Sequence, residues 1–147
     1  MLPKYWRLRM INESGQTMSY DGNSNAARIA IRVSPWKLTS GAKVDGTAIA
    51  EDLGFGASDT IADDGEVEGA VVDNTSDKFL GATGTFEVTH DVDAASGQCR
   101  LFFEHCDDNS SWPSDADDFV ITDLTQIAVL PMDPSAANKS RGVNFVL

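Results

Sequence analysis

The chain has 147 residues, 41% of them hydrophobic, with 23 acidic and 11 basic side chains and a formal net charge of −12. That length and apolar content suit a single domain spanning 1–147 with its own core, and they exclude a disordered chain. The acidic surplus argues against direct nucleic-acid binding, which needs Lys and Arg to neutralise phosphates.

Tyr5 to Ile11 alternates: Trp6, Leu8 and Met10 face one way, and Tyr5, Arg7, Arg9 and Ile11 the other. Side chains two apart share a face of an extended chain, so this is the first strand. Asn12 to Gly15 supplies a turn, Thr17 to Tyr20 a short continuation, and Asp21 to Asn25 a loop. Ala27 to Leu38 is a second strand with Ala27, Ile29, Ile31 and Val33 on its apolar face. Pro35 has no N–H to donate, so this strand is expected to end, bulge or lie at an edge there. Ser40 to Lys43 is a turn, and Val44 to Ala50 can form a strand. Leu53 to Gly56 looks irregular, and acidic Asp59 to Gly69 is expected to be surface loop. Gly69 to Val72 is a short strand, Asp73 to Asp77 a polar turn, and Phe79–Leu80 return the chain to the core.

Gly84 to Asp108 organises the expected fold. Phe86, Val88, His90 and Val92 alternate with Thr85, Glu87, Thr89 and Asp91. Cys99, Leu101, Phe103 and His105 then alternate with Arg100, Phe102, Glu104 and Cys106. The turn residues Asp93, Ser96 and Gly97 lie between, so the two segments are expected to form an antiparallel hairpin, central in its sheet. Ser111-Trp112-Pro113 fixes a bend, because the residue before proline is pushed out of helical geometry; Trp112 is expected to cap the end of the molecule. Phe119 to Ile121 and Leu124 to Leu130 are extended, Pro131 to Lys139 is a loop, and Gly142 to Leu147 is a last strand. No repeat of 20 to 50 residues is present, and no segment of ten residues keeps helical spacing. The expectation is all-β: about eight short strands in a two-sheet antiparallel β-sandwich, immunoglobulin-like or jelly-roll.

Between Asp45 and Asp133 lie 21 of the 23 acidic residues and two basic ones, Lys78 and Arg100, while residues 1–44 hold seven of the eleven basic ones. If the first strands and the last are neighbours, the domain is electrically polar, which suits charge-matched packing against other subunits as well as simple solubility. No apolar run approaches the roughly 20 residues of a membrane helix. Met1 to Trp6 lacks the apolar core of an export signal, so neither membrane insertion nor secretion is expected. Cys99 and Cys106 on one strand would stand roughly 23 Å apart at about 3.3 Å per residue. That is beyond disulfide reach, and two reduced thiols are expected.

Several constellations hold ligand or nucleophile atoms. Asp107, Asn109, Ser111 and Asp118 have the spacing of calcium-loop positions 1, 3, 5 and 12, and Asp115 and Asp117 add carboxylates. Trp112 stands where that loop needs glycine, so an acidic solvated loop is the preferred reading. His90, His105, Cys99 and Cys106 offer zinc-ligand atoms without zinc-ligand spacing. Trp6, Trp36 and Trp112 could stack on sugar rings, but core anchoring is the better reading. Gly54-Phe55-Gly56 lacks the Gly-Lys-Ser/Thr ending of a phosphate loop, and no Gly-x-Ser-x-Gly nucleophile elbow occurs. No catalytic, cofactor-binding or metal residue is assigned, and no enzyme is expected.

Two stretches carry a resemblance. Asp73 to Gly81 leads into a Gly-Thr-Phe-Glu-Val strand. Phe102-Phe103-Glu104-His105 is followed by Asp107 to Asp115 with Trp112-Pro113, and later by Arg141-Gly142-Val143-Asn144-Phe145. Together they resemble small β-sandwich structural proteins of tailed-bacteriophage virions, in which an aromatic-Glu-x-Ser strand precedes an Asp-containing loop ending in Thr-Trp or Thr-Trp-Pro. Here His105-Cys106 and Ser111 replace the usual small polar residues. The resemblance implies a capsid decoration (cement) or tail subunit, made in the host cytoplasm and located in the virion. Its implied partners are other capsid or tail proteins and copies of itself, with no cofactor. The alternative is a ligand-binding sandwich, either carbohydrate-binding or a calcium-stabilised adhesion module.

Overall fold

The structure, a computed structural model, describes residues 1–20, 28–48, 60–90, 96–132 and 139–147. Among these residues lie eleven strands: β1 (Tyr5–Glu13), β2 (Met18–Tyr20), β3 (Arg28–Thr39), β4 (Ala42–Asp45), β5 (Thr60–Ile61), β6 (Gly65–Glu68), β7 (Val72–Asp73), β8 (Gly81–His90), β9 (Gln98–Cys106), β10 (Thr125–Pro131) and β11 (Lys139–Val146). Three of them, β2, β5 and β7, are only two or three residues long. The expected loop Asp21–Asn25, the segment Leu53–Gly56 and most of the loop Pro131–Lys139 lie outside the described residues.

The strands form two sheets packed face to face. One has the order β10-β9-β1-β6, with β7 pairing the start of β1. The other has the order β11-β8-β3-β2-β5, with β4 pairing the far end of β3. All described pairs are antiparallel except β2 with β3. The alternation read in the sequence points the apolar faces inward. Trp6, Leu8, Met10, Cys99 and Leu101 of the first sheet meet Ile29, Ile31, Val33, Phe86, Val88 and Phe145 of the second. Gly84 is required there, because the Phe145 ring occupies the space a Cβ would take.

The expected hairpin does not form. β8 pairs with β3 and β11 in the second sheet, whereas β9 pairs with β1 and β10 in the first. Both are interior strands, so the chain between them crosses from one sheet to the other. A turn-rich connection reads the same whether the next strand lies beside the last or opposite it. Thr17–Tyr20 likewise changes sheets instead of continuing β1.

Pro35 does not end its strand. β3 passes through it in register, opposite Ala82, to Thr39. Ala82 and Leu147 exchange both backbone hydrogen bonds, at 2.9 and 3.1 Å, so Ala82 turns its polar groups away from Pro35. The missing N–H therefore points to the far side of β3, where the Pro35 carbonyl accepts from Gly46 at 2.7 Å just beyond β4. The acidic segment Asp59–Gly69 is not all loop: Gly65–Glu68 pairs with Arg9–Asn12 of β1. Its carboxylates are the polar face of a strand set beside cations. Phe119 and Val120 are not a strand either; Ile121–Asp123 forms a 3₁₀ turn leading into β10.

Candidate functional site

The outer face of the first sheet carries the densest chemistry. β1 puts Arg7 and Arg9 on that face, in register with Glu104 of β9 and Glu68 of β6 respectively. Glu104 is buried, with only 1% of its surface exposed. One of its oxygens accepts from Arg7 Nε at 2.6 Å and Arg9 Nε at 3.2 Å. Arg9 Nη2 also donates to Glu68 Oε2 at 2.6 Å, Arg9 Nη1 reaches Glu66, and Arg7 Nη1 stands 3.2 Å from Glu68.

Residues 107–124 form a strap over this cluster. The Ser114 N–H donates to the other Glu104 oxygen at 2.9 Å, and Arg7 Nη2 donates to Ser114 Oγ at 2.9 Å. The Trp112 ring covers the Arg7 guanidinium at 4.2 Å, and the Phe119 ring lies 5.5 Å from that of Arg9. Such contacts add attraction to a cation that water no longer reaches. Trp112 is buried on this outer face and does not cap an end as expected.

The strap shapes itself with its own aspartates. Asp108 accepts from the N–H groups of Ser110 and Ser111 and from Ser111 Oγ, and these bonds hold its carboxyl far below the usual range. Asp115 and Asp123 accept from the N–H groups of Trp112 and Val120, at the mouths of the 3₁₀ turns Pro113–Asp115 and Ile121–Asp123.

Burial pushes the Glu104 carboxyl up, but the bonds from Arg7 and Ser114 outweigh it and hold the group below its ordinary value. It is therefore ionised at neutral pH, saturated by donors and closed to water. A carboxylate so placed offers no free oxygen to a substrate; it ties the strap to the sheet. At the other end of β1, Arg100 binds Glu13, with Nε to Oε2 at 3.0 Å, and lowers the Glu13 carboxyl. The acidic middle of the chain thus neutralises the cations of β1. In the second sheet the basic strands β3 and β11 are not direct neighbours; each pairs with β8.

Among the described residues the constellations named from the sequence do not come together as sites. Asp107, Asn109, Ser111, Asp115, Asp117 and Asp118 are all exposed along the strap. Among the described residues, no three His, Cys, Asp or Glu side chains converge as a metal ion would need. Cys99 and Cys106 are free and buried on opposite faces of β9. His105 is beside Cys106, far from Cys99, and His90 belongs to the other sheet. Trp6 lies in the interior, Trp112 under the strap and Trp36 against Gly81 of the second sheet, so they form no common platform. Gly54-Phe55-Gly56 lies outside the described residues. The Arg7–Glu104 clasp was missed in the sequence; its signal was the charged residues at alternate positions of two apolar strands.

Open depressions mark the surface. One, about 530 Å³, crosses the outer face of the second sheet beside Arg32, Ser34, Thr83, Thr85 and Asn144. Another, about 300 Å³, lies at one end beside Leu2, Leu80, Phe103, Ile127 and Leu147. Neither of these is lined by an acidic side chain, histidine or cysteine. A further one, about 410 Å³, is lined by Asp45, Asp73 and Asp77 beside Lys37 and Phe79.

β11 is the edge of its sheet and pairs along its length with β8. The reciprocal Ala82–Leu147 bonds set its phase. Leu147, Phe145, Val143 and Arg141 turn their backbone groups toward β8; Val146, Asn144, Gly142 and Ser140 turn theirs outward. No protein-family model matches the chain, and no curated protein or solved structure matches it.

Proposed function

We propose that the chain is a non-enzymatic structural subunit of a tailed-phage virion, a capsid decoration or tail component that works through its surfaces. The observation that carries this reading is the edge of β11, a regular eight-residue strand that among the described residues pairs on one side only, with β8. The inward use of charge supports it: the buried carboxylate of the first sheet is spent on holding the strap and not on a ligand. The resemblance of Phe102–Asp115 and Arg141–Phe145 to virion sandwich proteins supplies the setting.

The test is mass spectrometry and cryo-electron microscopy of purified particles from a host producing the chain. A symmetric, high copy number is expected; particles without the chain would refute the reading. Deleting Gly142–Leu147 is unsuitable as an assembly test, because it removes Phe145 from the core. Asn144→Pro is the better perturbation: it deletes an outward N–H and leaves the bonds to β8 in place.

A further inference from the structure

We infer that β11 pairs with β11 of a second copy, antiparallel and centred on Val143, joining two second sheets into one continuous sheet. This deepens the subunit reading and rests on it for its setting.

Three observations lead there. The first is the contrast between two edges. β10, the edge of the first sheet, has a register shift between Gln126 and Ala128 and ends in Pro131, both of which obstruct strand addition. β11 has neither: its pairing with β8 is unbroken from Lys139 to Val146. β10 comes alongside β11 from the facing sheet, and the pairs described for β11 are all with β8.

The second is self-complementarity. A two-fold axis at Val143 pairs all of 139–147 with itself. Ser140 then meets Val146, and Gly142 meets Asn144; these are the residues whose N–H and C=O point outward, so each outward group finds a partner. Arg141 falls opposite Phe145 and Lys139 opposite Leu147, so no like charges face each other. An axis at Arg141 would set the two guanidinium groups against each other.

The third is charge. Two bodies of −12 repel, yet residues 134–147 hold two cations and no acidic side chain. This edge strand therefore adds no carboxylate side chains of its own to the repulsion between two copies. Backbone pairing of one strand buries less than the roughly 1,200 Å² of a stable interface, so the contact is weak in dilute solution and gains from copies held side by side on a particle.

Val143 turns its backbone toward β8, so across the axis the two Val143 residues form a non-hydrogen-bonded pair with Cα atoms about 4.5 Å apart. That is within disulfide range. The test is Val143→Cys in the otherwise native chain, oxidised at high protein concentration, with Ser140→Cys as the off-axis control. Sedimentation of the native chain and of Asn144→Pro is measured alongside, with circular dichroism to establish folding. Expected are a disulfide dimer for Val143→Cys and little for Ser140→Cys. The native chain should shift with concentration from 15.8 kDa toward twice that mass, more readily as salt screens the repulsion. A folded Asn144→Pro chain should remain a monomer. A native chain that is monomeric throughout, or equal cross-linking at both positions, overturns the inference. If particles still carry the chain in symmetric copies, the subunit reading stands without it.

Discussion

Replacing Glu104 by Gln tests whether the strap is tied by charge. The substitution keeps the shape of the side chain, but the amide nitrogen must face either the Arg7 and Arg9 guanidinium groups or the Ser114 N–H, and all of these are donors. Breaking a buried ion pair from one side costs about 3–5 kcal/mol, a large share of the roughly 5–15 kcal/mol that holds a domain together. At about 2–4 °C per kcal/mol for a chain of this size, Tm should fall by about 6–20 °C. Urea and thermal unfolding followed by fluorescence measure it, with buried Trp112 against Arg7 as a local reporter. The pH dependence follows from the depressed carboxyl. Its stabilisation is complete above the unfolded-state value near 4.3 and fades as pH falls through the lower folded value. The gap between native and Gln chains should therefore be widest near neutrality and close on acidification. A Gln chain within about 1 kcal/mol of native at pH 7, below the cost of a broken buried pair, would refute the reasoning. So would a gap that does not change with pH.

Asn74→Ala should lower stability by about 2–3 kcal/mol with an unchanged urea m-value. Its buried amide donates to the carbonyls of Leu2, Pro3 and Phe79 at 3.2–3.3 Å and accepts the Phe79 N–H at 2.7 Å; alanine removes all four bonds and leaves the Phe79 carbonyl only the Leu2 N–H. Equal midpoints for the two chains would contradict this. Cys99 should resist Ellman's reagent at pH 8 until the chain unfolds, because burial and the nearby Glu13 and Asp63 charges push its thiol up to about 12. Labelling with and without urea, mapped by peptide mass, checks it; equal rates in both would count against the buried placement.

The sequence disclosed strands better than it disclosed neighbours. Trp6, Leu8 and Met10 could be assigned to a core face because period-two alternation is a local property. That β8 and β9 sit in different sheets could not be read, because pairing depends on which strands are available elsewhere: β1 takes one edge of β9, and β3 one edge of β8. Glu66 and Glu68 looked like loop residues for the same reason. Their exposed carboxylates form the polar face of a strand and pair with Arg9, a partner more than fifty residues away. Pro35 misled because a proline in a strand matters only on the side to which its nitrogen points, and that phase is set by Ala82 and Leu147.

The same logic joins the strap to the edge. In the first sheet, β6 and β9 supply carboxylates to the arginines of β1, and the strap closes over them. That outer face is thereby covered by the chain's own strap, whose exposed residues include Asp107, Asp108, Asp115, Asp117 and Asp118. The second sheet has no such cover over Thr83, Thr85 and Asn144, which remain exposed beside one another. Its β11 edge strand carries Lys139 and Arg141 and no acidic side chain. A surface already tied to its own chain has little left to offer a partner, whereas an edge with outward backbone groups gains only by meeting one. On the subunit reading proposed above, a second copy is therefore expected at the edge of the second sheet and not on the strapped face of the first.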